Sequence, residues 1–148
     1  MPSVVNTFKS HLRDSGLLSA MRWLNGTVPY RFSAIFGFDG DTLTNVCLVD
    51  KGDPAVTQCS SQPITESYCV YIQRSAKQFV VENSLNDDRV SAHPKQSSFH
   101  SYYGVPLFSE SGKMLGTVCH FDFAAMRPTA AVAEILDELA PIIATSAF

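Results

Sequence analysis

The side chains able to do chemistry in this chain are four cysteines, Cys47, Cys59, Cys69 and Cys119, and four histidines, His11, His93, His100 and His120. Thiolate and neutral imidazole are the usual soft and borderline metal ligands, and a thiolate beside cationic groups oxidises readily. Their spacing argues against a metal. No two histidines stand three or four residues apart on a common helix, and no Cys-x-x-Cys pair occurs, so neither a zinc ribbon nor a thioredoxin-like pair is expected. Cys119 and His120 are neighbours on an expected strand and therefore point to opposite faces. The cysteines read as reduced, mostly buried thiols, with redox-responsive Cys69 and Cys119 as the sharper alternative. Adjacent carboxylates such as Asp87 and Asp88, or Asp137 and Glu138, read as solvated faces without a shared proton to trade. A glycine-rich phosphate loop is absent.

The elements that must hold these groups are readable from periodicity. Tyr102 to Phe108 and Met114 to Phe123 are rich in aromatic and β-branched residues, and Ser109-Glu110-Ser111-Gly112 supplies the turn of a hairpin. Tyr30 to Phe38 and Thr42 to Val49 flank Asp39-Gly40 and predict a second hairpin. Val4, Val5, Phe8 and Leu12, then Leu17, Leu18, Met21 and Leu24, recur at helical spacing on either side of Asp14-Ser15-Gly16, which predicts two helical pieces or one broken helix. Lys51 to Pro63 reads as a loop, Ile64 to Ala76 as a short helix capped by Thr65 or Ser67, Gln78 to Glu82 as a brief strand and Asn83 to Ser98 as a polar loop. After Pro128, Thr129 caps a last helix with one apolar stripe, and Pro141 within it predicts a kink or an end near Ala140. Five or six short strands with helices at both ends indicate an α+β fold built on an antiparallel sheet.

Length and charge bound the function. The 148 residues, 45% of them hydrophobic, fit one domain spanning residues 1–148 with a single large core. A net charge of −3 without basic runs leaves no footprint for nucleic acid or an anionic membrane. No apolar run reaches the roughly 18–20 residues that span a bilayer, and no signal pattern opens the chain, so the expected compartment is the cytoplasm.

The sequence Gly104-Val-Pro-Leu, a glycine-containing turn and then Leu115-Gly-Thr-Val-Cys-His-Phe-Asp resembles the late strand pair of GAF domains, small ligand-sensing modules of bacterial signalling. A short strand, an Asp-Gly turn and a strand ending in Asp50 resemble the family's opening pair, and Asp87-Asp88-Arg89-Val90 resembles its Asp-x-Arg loop. The resemblance runs from about Tyr30 to Ala140. It implies terminal helices on one face of a GAF/PAS-like sheet of five or six strands, with a short helix and loops roofing a pocket on the other. Within the family, Cys59 and Cys69 are similar in spacing to two cysteines of the free methionine-(R)-sulfoxide reductases. Those enzymes carry their catalytic cysteine in the loop before the Gly-Val-Pro-Leu strand, and Asn86 to Tyr103 contains none. Bilin receptors and cyclic-nucleotide GAF domains are disfavoured on similar grounds. The pigment cysteine and the Asn-Lys-x-Phe-Asp-Glu pattern are both missing.

The candidate pocket gathers Tyr68 and Cys69 from the roof helix, Asp88, Arg89 and His93 from the loop, His100 and Tyr102 from the start of the late hairpin, and Cys119 or His120 from its second strand. Aromatic walls with a few polar groups suit a small molecule. The sequence therefore predicts a sensory or regulatory GAF domain without catalysis or metal, whose ligand it does not name. It also predicts a homodimer through the apolar stripes of the terminal helices and a separate effector protein as the output. A reductase-like enzyme, a thiol redox sensor and a ligand-free dimerisation module are the alternatives.

Overall fold

A computed structural model describes residues 3–148. Helix α1 (Val4–Ser15) starts where the Ser3 hydroxyl accepts the Asn6 N–H at 3.0 Å, and Gly16 at φ +91° separates it from α2 (Leu17–Gly26). A positive φ that only glycine adopts freely breaks the periodic run into two helices. Strands β1 (Phe32–Asp39) and β2 (Thr42–Asp50) follow, then the two-residue β3 (Gln62–Pro63). A single 3-10 turn leads to α3 (Cys69–Ser75) and β4 (Phe79–Val81), and two more such turns, Ser84–Asn86 and Asp88–Val90, lead to the long hairpin of β5 (Ser101–Phe108) and β6 (Met114–Asp122). Helix α4 (Ala130–Ala147) closes the chain, with Thr129 accepting the Val132 N–H. No helix among the described residues is long and apolar enough to cross a membrane.

The six strands form one antiparallel sheet in the order β3-β2-β1-β6-β5-β4. Its centre is covered on both sides. Side chains alternate between two cores, because successive residues of a strand project to opposite faces. Ile35, Tyr103, Val105 and Val118 meet Met21 and Leu24 of α2 and Leu136 and Leu139 of α4, whereas Phe36, Tyr102 and Cys119 meet Tyr68, Cys69 and Ile72 on the α3 side. The terminal helices thus cover one face and the mid-chain segments the other.

Of the two outcomes expected from Pro141, the end near Ala140 does not occur. Helix α4 runs on to Ala147. Proline in a helix interior forfeits one hydrogen bond and clashes with the preceding turn, at about 3 kcal/mol. Here Pro141 and Asp137, whose carbonyl loses its donor, both lie on the exposed side, while Leu139 and Ile143 are fully buried on either side of the break. The orphaned carbonyl is on the exposed side of the helix, and the packed stripe holds the helix in register.

On the helical face a buried polar network joins α2 to the sheet. Asn25 Nδ2 donates to Ser33 Oγ at 2.7 Å, and Ser33 Oγ lies 2.6 Å from His120 Nδ1. The other ring nitrogen, Nε2, is buried without a partner. The imidazole also stacks on Tyr30 at 5.7 Å. Nearby, the Lys51 ammonium donates to the carbonyls of Asn25 and Val28, both at 2.7 Å, and of Tyr30, holding the end of α2 against β2. Burial, with a contribution from Lys51, pushes the His120 pKa down from 6.5 to about 3. The unfolded chain therefore binds a proton that the native chain refuses, so stability is present above pH 6.5 and is lost as the pH falls toward 3. Urea unfolding at stepped pH should show stability declining below pH 6.5, with this group supplying a slope of up to about 1.4 kcal/mol per pH unit. His120→Gln should flatten the slope between pH about 6.5 and 5, where carboxylates contribute little; an unchanged slope would contradict the assignment.

Candidate functional site

The recess lies between α3 and the sheet. Ser67 orients the roof, because its Oγ accepts the Cys69 N–H at 3.1 Å where the α3 backbone donors lack partners. Ala76 at φ 58° ends the helix after two turns. Tyr68 is buried below, and its hydroxyl donates to the Phe99 carbonyl at 2.9 Å, tying the roof to the loop before β5. Its ring meets Tyr102 edge-on at 5.6 Å and lies 4.7 Å from His93. Phe36, Tyr102 and Phe121 of three adjacent strands form the floor, and Phe99 closes one side. The recess is half open to solvent and its volume is about 60 Å³, well below the roughly 300–1,000 Å³ of typical small-molecule sites. Gln62, Glu66 and Lys95 stand at the rim. Neither Glu66 nor Lys95 has an ion-pair partner within 4.0 Å among the described residues.

Behind the floor sits a thiol cluster. Cys69 Sγ lies 3.2 Å from Tyr102 Oη and 3.3 Å from Thr117 Oγ1, and Cys119, two residues beyond Thr117 on the same face, is buried in the same core. Tyr102 reaches this position because Gly104, two residues on and facing the same way, carries no side chain; a Cβ there would overlap the tyrosine ring and hydroxyl. Burial pushes the Cys69 thiol up, but hydrogen bonds from Cys119, Ser67, Thr117 and Tyr102 pull it down further, so its net shift is downward. Burial and the neighbouring Cys69 drive Cys119 upward, and burial does the same to Tyr102. Cys69 is thus the sulfur of the pair that loses its proton first.

Of the sequence candidates, Tyr68 and Tyr102 line the recess, Cys69 and Cys119 are buried behind them, and His93 packs against Tyr68. His93 accepts the Lys95 N–H through Nδ1 at 3.0 Å, leaves Nε2 buried without a partner and is held below its usual pKa chiefly by burial. The other four do not meet the recess. His120 faces the terminal helices, as alternation from Cys119 requires. His100 Nδ1 is bonded to Ser84 Oγ at 2.8 Å and braces the preceding loop. Asp88 is exposed, and Arg89 binds Asp87 at 2.6 Å and covers the outer side of Phe79. The Asp-x-Arg segment is a loop staple on the outside of the roof. Sequence reasoning missed Phe36, Glu66, Lys95, Phe99, Thr117 and Phe121; for Phe36, Thr117 and Phe121 the period of two from Ala34 or Cys119 was the available signal.

Comparison with known proteins agrees with this architecture. The model of the GAF domain family matches residues 14–146. The chain belongs to the GAF domain family. Among solved structures, the GAF domain of an Acinetobacter phosphoenolpyruvate-protein phosphotransferase is similar at 13% identity with a TM-score of 0.75, over 99% of this chain and 94% of that one. The free methionine-R-sulfoxide reductase of Neisseria meningitidis, solved with its substrate, is similar at 18% identity and 0.73, over 97% and 85%. The GAF domain of a Bacillus halodurans two-component sensor histidine kinase is similar at 15% identity and 0.62, over 97% and 90%. At such identities the likeness is one of fold. No curated protein matches by sequence.

The packing of Tyr102 over Gly104 in this GAF domain is testable by a double-mutant cycle. Gly104→Ala should cost about 1–3 kcal/mol by overpacking, and its cost should shrink in a Tyr102→Ala background, where the overlapped ring is gone. Denaturant unfolding of the four proteins checks this, and additive costs would contradict the contact.

Proposed function

We propose that this GAF domain is a sensory or regulatory module that binds a small molecule in the recess under α3 and performs no catalysis. The observation that carries this reading is an aromatic-walled cavity with two unpaired, opposite charges at its mouth, Glu66 and Lys95. Apolar walls provide affinity and a few placed polar groups provide specificity. A guest that fits has a flat or slender apolar part, with polar groups that reach the rim. Larger guests require Phe99 to swing aside, and its stacking on the exposed Phe123 at 5.1 Å lies toward solvent.

Two features support the absence of catalysis. Asn86 to Tyr103 supplies no cysteine, and Cys69 has no exposed surface. An inaccessible thiol without a partner cysteine in that loop does not make a nucleophile and its partner. The Neisseria reductase acts on free methionine sulfoxide; this chain is expected to show no turnover of that compound with a thiol donor.

The output passes through the terminal helices. Val4, Val5 and Leu12 of α1 and Ile135 and Ile142 of α4 are half-buried at the edge of the helical core, which supports a homodimer that signals to a separate effector protein. A second reading, a dimerisation platform without a ligand, is favoured by the same crowding of Tyr68, Phe79, Phe99, Tyr102 and Phe121. Mass spectrometry of compounds retained through native purification separates the two. A retained small molecule, lost in Lys95→Ala and Glu66→Gln, supports the sensor; protein that retains nothing, is indifferent to both substitutions and remains dimeric in scattering supports the platform. A monomer at high concentration would remove the dimer, and reductase turnover would overturn the non-catalytic assignment.

A further inference from the structure

Glu66 and Lys95 bring opposite charges to the mouth of the recess from two segments that the fold ties together. Glu66 ends the turn before α3, and that turn is held at its start, because the Ile64 N–H donates to the Asp41 carbonyl at 2.8 Å and the Ile64 carbonyl accepts from the Ser67 N–H at 3.0 Å. Lys95 stands in the loop before β5. Its N–H donates to His93 Nδ1 at 3.0 Å, and its carbonyl accepts from the N–H groups of Ser98 at 3.0 Å and Phe99 at 2.9 Å. The bond from Tyr68 Oη to the Phe99 carbonyl, 2.9 Å long, joins the two segments. Both charges therefore rise from ordered backbone beside one small recess, and neither has an ion-pair partner within 4.0 Å among the described residues.

On the reading that this recess is where a guest binds, we propose that the guest is a small zwitterion, with an ammonium for Glu66, a carboxylate for Lys95 and a slender apolar body among the rings of Phe36, Tyr102 and Phe121. What other guests would leave unpaired decides the class. An acid without an amine would reach Lys95 and bring its anion toward Glu66. An amine without a carboxylate meets the reverse conflict at Lys95, and a neutral guest covers both charges while pairing neither. Removing a charge from water without giving it a partner costs free energy, and a like charge brought beside it adds to the cost. A guest with both signs avoids both losses. The aromatic walls also suit its ammonium, since a ring quadrupole attracts a cation, and the Gln62 amide at the rim can donate to the carboxylate.

The recess also limits the guest's body. A water needs about 10–15 Å³ of such space, so about 60 Å³ takes an apolar body of roughly four or five heavy atoms. Because both protein charges stand at the mouth, the ammonium and the carboxylate belong to the same end of the guest, and the apolar end enters. An aliphatic amino acid and an N-methylated betaine share this chemistry.

The test is amide NMR of the full chain, titrated separately with L-leucine, glycine betaine, isocaproate, which is leucine without its amine, isoamylamine, which is leucine without its carboxylate, and neutral isocaproamide. At least one of the two zwitterions should shift Glu66, Ser67, Lys95 and Phe99, and the other three compounds should bind about tenfold more weakly. A response to leucine alone or to betaine alone tells the two sources apart and supports the proposal either way. Glu66→Gln should weaken the zwitterion and strengthen isocaproate, and Lys95→Gln should weaken the zwitterion and strengthen isoamylamine. Zwitterions that bind both variants as well as the wild type, or that bind no better than the neutral or singly charged compounds, would overturn the proposal and leave the recess as a guest site. A chain that responds to none of the five overturns the zwitterion as well, and titration with other amphiphiles then decides separately whether the recess receives a guest at all.

Discussion

A strand buried on both faces cannot place two neighbouring residues on the same side, and this constraint governs the molecule. In β6 it sends Thr117, Cys119 and Phe121 toward α3, and Val118, His120 and Asp122 toward the terminal helices. In β5 it places Tyr102 and Gly104 on the same side, so the missing side chain of Gly104 becomes the bed for the Tyr102 ring. Cys69, Tyr102 and Thr117 meet, with Cys119 in the same core, for that reason. A one-residue slip of either strand would exchange the two cores.

The two faces solve their polar groups differently. On the helical side, Asn25, Ser33 and His120 Nδ1 are linked in a chain of bonds, and Arg31 is joined to Asp50 at 2.8 Å. Arg31 is itself partly exposed, so the pair at the edge of the sheet adds little stability and mainly fixes geometry. On the α3 side the recess is walled by aromatic rings, and its charges stand at the rim without partners. On the helical side His120 Nε2 and Tyr30 Oη still lack partners, whereas on the other side unpaired charges stand beside apolar walls, as a small-molecule site requires. The proposed function takes one face as scaffold and the other as receptor.

Much of the fold was legible because hairpins announce themselves locally. Asp39-Gly40 and the turn ending in Gly112, at φ +86°, fixed two hairpins from dipeptide chemistry and alternation alone. Gly16 marked the helix break, and Ser67 proved to be the residue that caps the roof. The continuous α4 was not legible, since the weight of Leu139 and Ile143 in the core is a tertiary fact that overrides the local effect of Pro141. The site was legible only in part. Tyr68, Cys69, Tyr102 and Cys119 followed from element placement, but Asp88 and Arg89 looked functional because charge in a loop does not tell whether the loop's inner or outer side carries it. Lys95 and Phe99 come from an irregular segment that has no periodicity to read.

The central claim is that the aromatic recess under α3 is where this GAF domain receives a small molecule. The most direct measurement is two-dimensional amide NMR of the full chain, titrated with a library of small amphiphilic compounds. The account expects the largest shifts at Glu66, Ser67, Tyr68, Lys95, Phe99 and Phe121, with the opposite face of the sheet unmoved. Shifts confined to the open groove beside Pro106 and Pro141, or a chain that responds to no compound at all, would contradict it.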